Sequence, residues 1–379
     1  MRVHPEISIL KFCRAFALTW CATIAANFVV ACGQTPPQPR PRASWSPEVL
    51  AECRDALARA DCATPLIEAA ARLDARPLVY HAHLLLALGP RSATLRVSAP
   101  NGECSYLKWI TSVASSQATD GFPPYLVRAP NGWAISHHDS SVLGSTGEGH
   151  AGQLLAYAGF AGIDETSLRL RAPDGSEVLA ESLAIGLLGV PLALLDTDYA
   201  IPALLFATRR TTWQTRWATE VSLDDLLQEH LRRPLTDRAC FAAHWHAALV
   251  LVLSGDWIED DTLASSARKM LKNSVHEVLG GIDGHGAISV AFPSDRSEWR
   301  SESPSVNGRE FSRQAHVLEW LVRASDDETL LADRRIHSAF KFLHDRLCSD
   351  GALLSLLDVA HAASAIREYR TRLLRIVDE

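Results

Sequence analysis

"CFAAHWHAALVLVLS", residues 240–254, decides how the rest of the chain is read. A surface helix carries an apolar stripe on one face and polar residues on the other. The run "AALVLVL" is apolar on every side, so no face of it suits water. Such a helix is stable only inside a layer of other helices, and it is expected to be an inner one. His244 and His246 open it two positions apart, about 200° around a helix. One should face inward and the other a neighbouring helix.

Working outward, helical patterns recur on both sides of this stretch. "SPEVLAECRDALARA" (46–60) starts with Ser46 at an N-cap and Pro47 at the first helical position. "PLVYHAHLLLAL" (77–88), "HAGQLLAYAGF" (150–160), "YAIPALLFATRR" (199–210), "REFSRQAHVLEWLVRA" (309–324) and "LLDVAHAASAIREYRTRLL" (356–374) are further examples. Apolar residues mostly recur three and four apart, which gives about a dozen helices. Three stretches share Ala-Pro-[Asn/Asp]-Gly: "SAPNG" (98–102), "RAPNG" (128–132) and "RAPDG" (171–175). Proline presets the second turn position and glycine suits the fourth, so each reads as a type I β-turn in a small hairpin. "GGIDGHGAISVAF" and "CSDGALLSLLDVAH" each place Asp-Gly between a helix and an apolar stretch. The expected fold is mainly α, an α/α-toroid of helical hairpins with minor β-hairpin excursions, as a single domain over residues 45–379.

The chain of 379 residues is 47% hydrophobic and 21% charged, a globular composition. A formal net charge of −7 without a basic stripe argues against nucleic acid as a partner. The N-terminus carries Arg2, Lys11 and Arg14 before the apolar run "AFALTWCATIAANFVVA", the layout of a signal peptide over residues 1–31. It ends in "VVAC" and resembles the lipobox of bacterial lipoproteins, which implies lipidation of Cys32. Gly33 rather than Asp follows, which in that class points to the outer membrane. Residues 32–44 form a Pro-rich linker suited to holding a domain off a bilayer. The expected location is the cell envelope, with the membrane as partner through the lipid anchor. Beyond the signal region remain Cys53, Cys62, Cys104, Cys240 and Cys348, an odd number. Cys53 and Cys62 bracket a short helix and its turn; they either pair with each other or stand as two buried thiols.

Histidines are unevenly placed. His150 ("GEGHAGQLLA"), His244, His316 ("RQAHVLEWLV") and His361 ("DVAHAASAI") each precede or open an apolar helix beside small residues. If the inner helices start on one side of a ring, residues distant in sequence meet at its mouth. Glu148, His150, His244 and His316 are the residues expected there. They could exchange protons as catalytic groups, or bind a metal through three imidazoles and a carboxylate, a set suited to zinc or iron. No cofactor is named by the sequence beyond a divalent metal such as zinc. His316 and Glu319 share a helix face, as do Asp358 and His361, and a carboxylate beside an imidazole raises its basicity. The same pairs could equally satisfy buried histidines. "HHDSS" (137–141) could be imagined as a Ser–His–Asp triad, but neighbours in sequence seldom form one.

"GEGHAGQLLA", "ACFAAH" and "HVLEWL" together resemble a set of uncharacterised bacterial proteins with a terpenoid-cyclase-like α/α-toroid. Glu148, His150 and Gln153 fall on the first motif, Cys240 and His244 on the second, and His316, Glu319 and Trp320 on the third. The resemblance spans residues 137–325, about half the chain, and implies the toroid fold without an activity. The acidic DxDD run of squalene–hopene cyclases and the zinc sets of prenyltransferases and lanthionine cyclases are absent. A P-loop, HExxH and GxSxG are absent too. Two functions follow as expectations: an exported, lipid-anchored enzyme acting on a carbohydrate or isoprenoid-like small molecule, or a non-catalytic lipid-anchored binding or scaffold protein.

Overall fold

A computed structural model describes residues 45–72, 77–118, 123–129, 132–136, 148–215, 217–235, 240–288, 306–324 and 330–378. The signal segment, the Pro-rich linker with Cys32, and residues 137–141 lie outside the described residues. Trp45–Glu379 forms one compact unit.

The described residues are mainly helical, with twelve helices of eight residues or more and four short antiparallel strand pairs. The helices are α1 (Pro47–Ala58), α2 (Ala63–Ala71), α3 (Leu78–Leu88), α4 (Gln153–Phe160), α5 (Ala180–Leu187) and α6 (Thr197–Thr208). They continue with α7 (Leu223–Arg232), α8 (Ala243–Ser254), α9 (Asp261–Gly281), α10 (Val306–Arg323), α11 (Arg334–Asp350) and α12 (Leu356–Asp378). Side-chain caps close several of their starts: Ser46 on α1, Asp260 on α9, Asp333 on α11, and a capping box of Ser222 with Asp225 on α7.

Two classes of helix follow from the distribution of apolar residues. Helices α3, α4, α6 and α8 are buried along most of their length. In α7 the buried residues are Leu223, Leu226, Leu227 and His230, a one-sided stripe, and α11 is amphipathic in the same way. Packing follows the division. Helix α3 packs on α4, α4 on α6, α6 on α8, α8 on α10, α10 on α12, and α12 back on α3. The amphipathic helices cover this cycle, with α5 and α7 against α6, α9 against α8, and α11 against α10 and α12.

The strand pairs are β1 (Arg96–Val97) with β2 (Cys104–Ser105), β3 (Leu126–Ala129) with β4 (Gly132–Ile135), β5 (Arg169–Arg171) with β6 (Glu177–Leu179), and β7 (Thr212–Gln214) with β8 (Glu220–Ser222). Two of the Ala-Pro-[Asn/Asp]-Gly stretches close as expected, Gly102 N donating to Ala99 O (3.0 Å) and Gly175 N to Ala172 O (2.9 Å). In the third, Pro130 and Asn131 lie outside the described residues, and β3 and β4 flank them in register. Strands β6 and β8 run directly into α5 and α7. These hairpins thus turn the chain from a buried helix back to a covering one.

The cysteine pairing differs from either alternative read from the sequence. Cys62 is bonded to Cys348 of α11, across 286 residues. Cys53 is a fully buried thiol on the packed face of α1, and burial pushes its pKa up to about 11. Cys62 lies beyond the end of α1, where the start of α2 meets α11. A nearer cysteine facing another layer cannot reach it. Arginines of α12 reinforce the same seam: Arg370 donates to Leu57 O at the end of α1 (2.9 Å), and Arg367 to Leu86 O of α3 (2.8 Å). Among the described residues, no helix is long and apolar enough to cross a membrane.

Candidate functional site

Six polar aromatic side chains meet at the centre, one from each helix of the packing cycle: His83 (α3), Tyr157 (α4), Tyr199 (α6), His244 (α8), His316 (α10) and His361 (α12). All are buried. Ring centroids lie 3.8 Å apart for His316 and His361, 4.9 Å for His83 and His361, and 5.4 Å for His244 and His361. His244 is 5.8 Å from His316 and 4.9 Å from Tyr199, and Tyr157 is 5.0 Å from His83.

Local backbone geometry aims α8 at this centre. Cys240, Phe241 and Ala242 all have left-handed φ (53°, 56° and 54°). Such a conformation costs roughly 1–2 kcal/mol per L-residue and persists only when surrounding packing imposes it. Phe241 and Ala242 are buried, which supplies that packing. The turn delivers His244 inward. His246 faces the other way, as the spacing predicts: its Nδ1–H donates to Ala242 O (2.7 Å) and Ser274 of α9 donates to its Nε2 (2.9 Å). Its ring stacks on Trp320.

Hydrogen bonds set the tautomers of three central histidines. Nδ1–H of His83 donates to Val79 O (2.6 Å), that of His316 to Ser312 O (2.8 Å), and that of His361 to Glu319 Oε2 (2.7 Å). Carbonyl and carboxylate oxygens only accept, so Nδ1 carries a proton in all three. The Tyr157 hydroxyl stands 3.4 Å from His83 Nε2 and 3.5 Å from His244 Nε2, and accepts from Gln153 Nε2 (3.3 Å). Burial holds His83 down to about 4, and holds His244 and His361 well below the usual imidazole range, with neighbouring imidazoles adding to the effect. Burial also raises both tyrosines well above theirs. Burial thus favours the neutral forms of His83, His244, His361 and both tyrosines. His361 Nε2 and the Tyr199 hydroxyl make no well-formed hydrogen bond.

The residues expected from the sequence divide. His244 and His316 come together at this centre. His150 stands at its edge, with Nδ1 3.0 Å from Asp196 Oδ2 and its ring stacked on Tyr199 at 4.5 Å. A third of its side chain remains exposed, so the row His150–Tyr199–His244 leads from surface to core. Glu148 does not join them. Its two oxygens accept the backbone N–H groups of Gly152 (2.6 Å) and Leu154 (3.0 Å). Helix α4 begins at Gly152, which has φ +88° and no side chain to cap with, and Glu148 does the capping from four positions upstream. Burial pushes its carboxyl up to about 7 against those two hydrogen bonds.

The carboxylate–imidazole pairs also form differently. Glu319 lies one turn from His316 on α10 but bonds His361 of α12. Asp358 of α12 is buried, its Oδ2 makes no hydrogen bond, and burial raises its carboxyl above the usual range. The Glu319–His361 pair crosses between helices instead of staying on one. His83, Tyr157, Tyr199 and Asp196 are additional members. The one signal for His83 is its place in the middle of "YHAHLLLAL", a helix buried along most of its length where no capping role explains an imidazole. Comparison with protein-family models, with curated proteins and with solved structures finds no match for this chain.

Proposed function

We propose that this chain is an exported, lipid-anchored α/α-toroid enzyme. Its central imidazole–phenol cluster would transfer protons on a small carbohydrate or isoprenoid-like ligand entering past His150. One observation carries the reading: each helix of the packing cycle supplies one polar aromatic group to the same buried point. A core evolved only for packing gains nothing from this. Each buried polar atom without a partner costs roughly 1–3 kcal/mol. The closed cycle of six helices, with amphipathic ones packed around it, supports the toroid, and so does the motif resemblance over residues 137–325. The Cys62–Cys348 bridge supports an oxidising compartment outside the cytosol, in keeping with a lipidated Cys32 and an outer-membrane location.

Urea denaturation of Tyr199→Phe and His244→Leu tests the cluster without knowledge of the substrate. Groups kept for chemistry are a stability liability, so both variants should equal or exceed the parent, by up to about 2 kcal/mol. A loss of more than about 2 kcal/mol in both would assign the cluster to structure and leave a lipid-anchored binding or scaffold protein. For the anchor, the full chain expressed in a bacterial host should incorporate labelled fatty acid, and Cys32→Ser should not. Equal labelling of the two ends the lipoprotein reading.

A further inference from the structure

We propose that Cys240, His244 and His316 form a binding site for a zinc-class divalent cation at the edge of the cluster. This deepens the reading of the cluster as a functional centre and rests on it. One donor atom from each of the three residues lies within 4.8 Å of the other two. A tetrahedral ion with bonds of 2.0–2.3 Å sets its donors roughly 3.5 Å apart, so the three need to close by about 1 Å, within reach of small side-chain rotations. Thiolate with imidazole is the donor set that prefers zinc among the common divalent ions, over the oxygen-seeking magnesium and calcium.

Three further observations point to a ligand. First, His316 Nδ1–H is anchored on Ser312 O (2.8 Å), the outer-shell contact that leaves Nε2 as the ligating atom. Second, the left-handed turn at 240–242 brings Cys240 into range of His244, although Cys240 lies outside α8. Third, His361 is fully buried beside His316, with Nδ1–H held by Glu319 and Nε2 without a hydrogen-bond partner. Three protein ligands leave a fourth position open, the pattern of zinc centres that activate water. Glu319 is the positioning residue behind His361, and Arg323 in turn lies 3.4 Å from Glu319.

A second grouping, Cys62, His344 and Cys348, has comparable spacing, but its two sulfurs are bonded to each other and supply no thiolate. It serves as the internal control.

The test uses the full chain, purified, stripped with a chelator and titrated with Zn²⁺ alone against a chromophoric competitor, then with Co²⁺. One zinc per chain is expected, with a thiolate-to-cobalt charge-transfer band in the near ultraviolet. Cys240→Ser should abolish that band, and it should weaken zinc binding at least about 100-fold, as should His316→Gln. His344→Gln, which leaves the Cys62–Cys348 bond in place, should retain both. No tight zinc, or undiminished binding in Cys240→Ser, overturns the site, as does binding lost only in His344→Gln. Should His316→Gln fail to fold by circular dichroism, the near-isosteric Cys240→Ser still decides the matter. Absent zinc with Tyr199→Phe still at least as stable as the parent rejects the ion alone. Absent zinc with that variant destabilised rejects the functional centre as well.

Discussion

A histidine enclosed by apolar helices is a different chemical object from one at the surface. His83 shows the effect: burial lowers its pKa from 6.5 to about 4, because the charged form loses its water and gains no counter-ion of equal strength. The unfolded chain binds the proton more readily than the folded one, so the sign is set. His83 favours folding fully above pH 6.5, and that contribution is lost as pH falls through 6.5 towards 4. The loss amounts to about 3 kcal/mol. His244 and His361 act in the same direction. Urea denaturation of the parent and of His83→Leu, between pH 7.5 and 4, should show the parent losing about 3 kcal/mol more over that range. Parallel curves would mean that His83 is already charged, or stays accessible to water, in the folded state.

Helix starts and helix-to-helix pairing carry the next layer of consequence. The first turn of α4 has no capping side chain at Gly152 and depends on Glu148 for two of its N–H groups. Glu148→Ala should therefore cost about 2 kcal/mol in equilibrium denaturation, leaving both donors buried and unmet. Zinc affinity should not change. The converse pattern, intact stability with weakened zinc binding, would return Glu148 to the ligand set. The "GEGH" stretch placed a carboxylate and an imidazole two residues apart, and nothing in that spacing distinguishes a ligand from a cap. What separates them is the direction of the backbone after Gly152. The pairs His316–Glu319 and Asp358–His361 teach the same lesson. Three-residue spacing put Glu319 beside His316 on one helix face, but contact with the facing helix gave Glu319 to His361 instead.

For the molecule as a whole, the seam between chain ends is the point of greatest leverage. The cycle of buried helices closes where α12 meets α3, and the Cys62–Cys348 bond ties the first helices to α11 across 286 residues. In the chain-entropy picture a loop of that length is worth about 6 kcal/mol to the folded state. Cys62→Ser should lower the urea midpoint accordingly, and reductant should bring the parent to the same value. Coincident midpoints before and after reduction would show that Arg367, Arg370 and packing hold the seam unaided.

Helix periodicity, the all-round apolar character of α8 and the Pro-Gly turns were all readable along the chain, because each depends on residues within one or two turns of each other. The inward and outward division of His244 and His246 came from the same local geometry. The choice of Cys348 as partner for Cys62, the bond from His361 of α12 to Glu319 of α10, the capping duty of Glu148 and the entry of His83 into the cluster lay beyond that reach. Each joins segments dozens to hundreds of residues apart, and their meeting is settled by how buried helices pack, which no local pattern encodes.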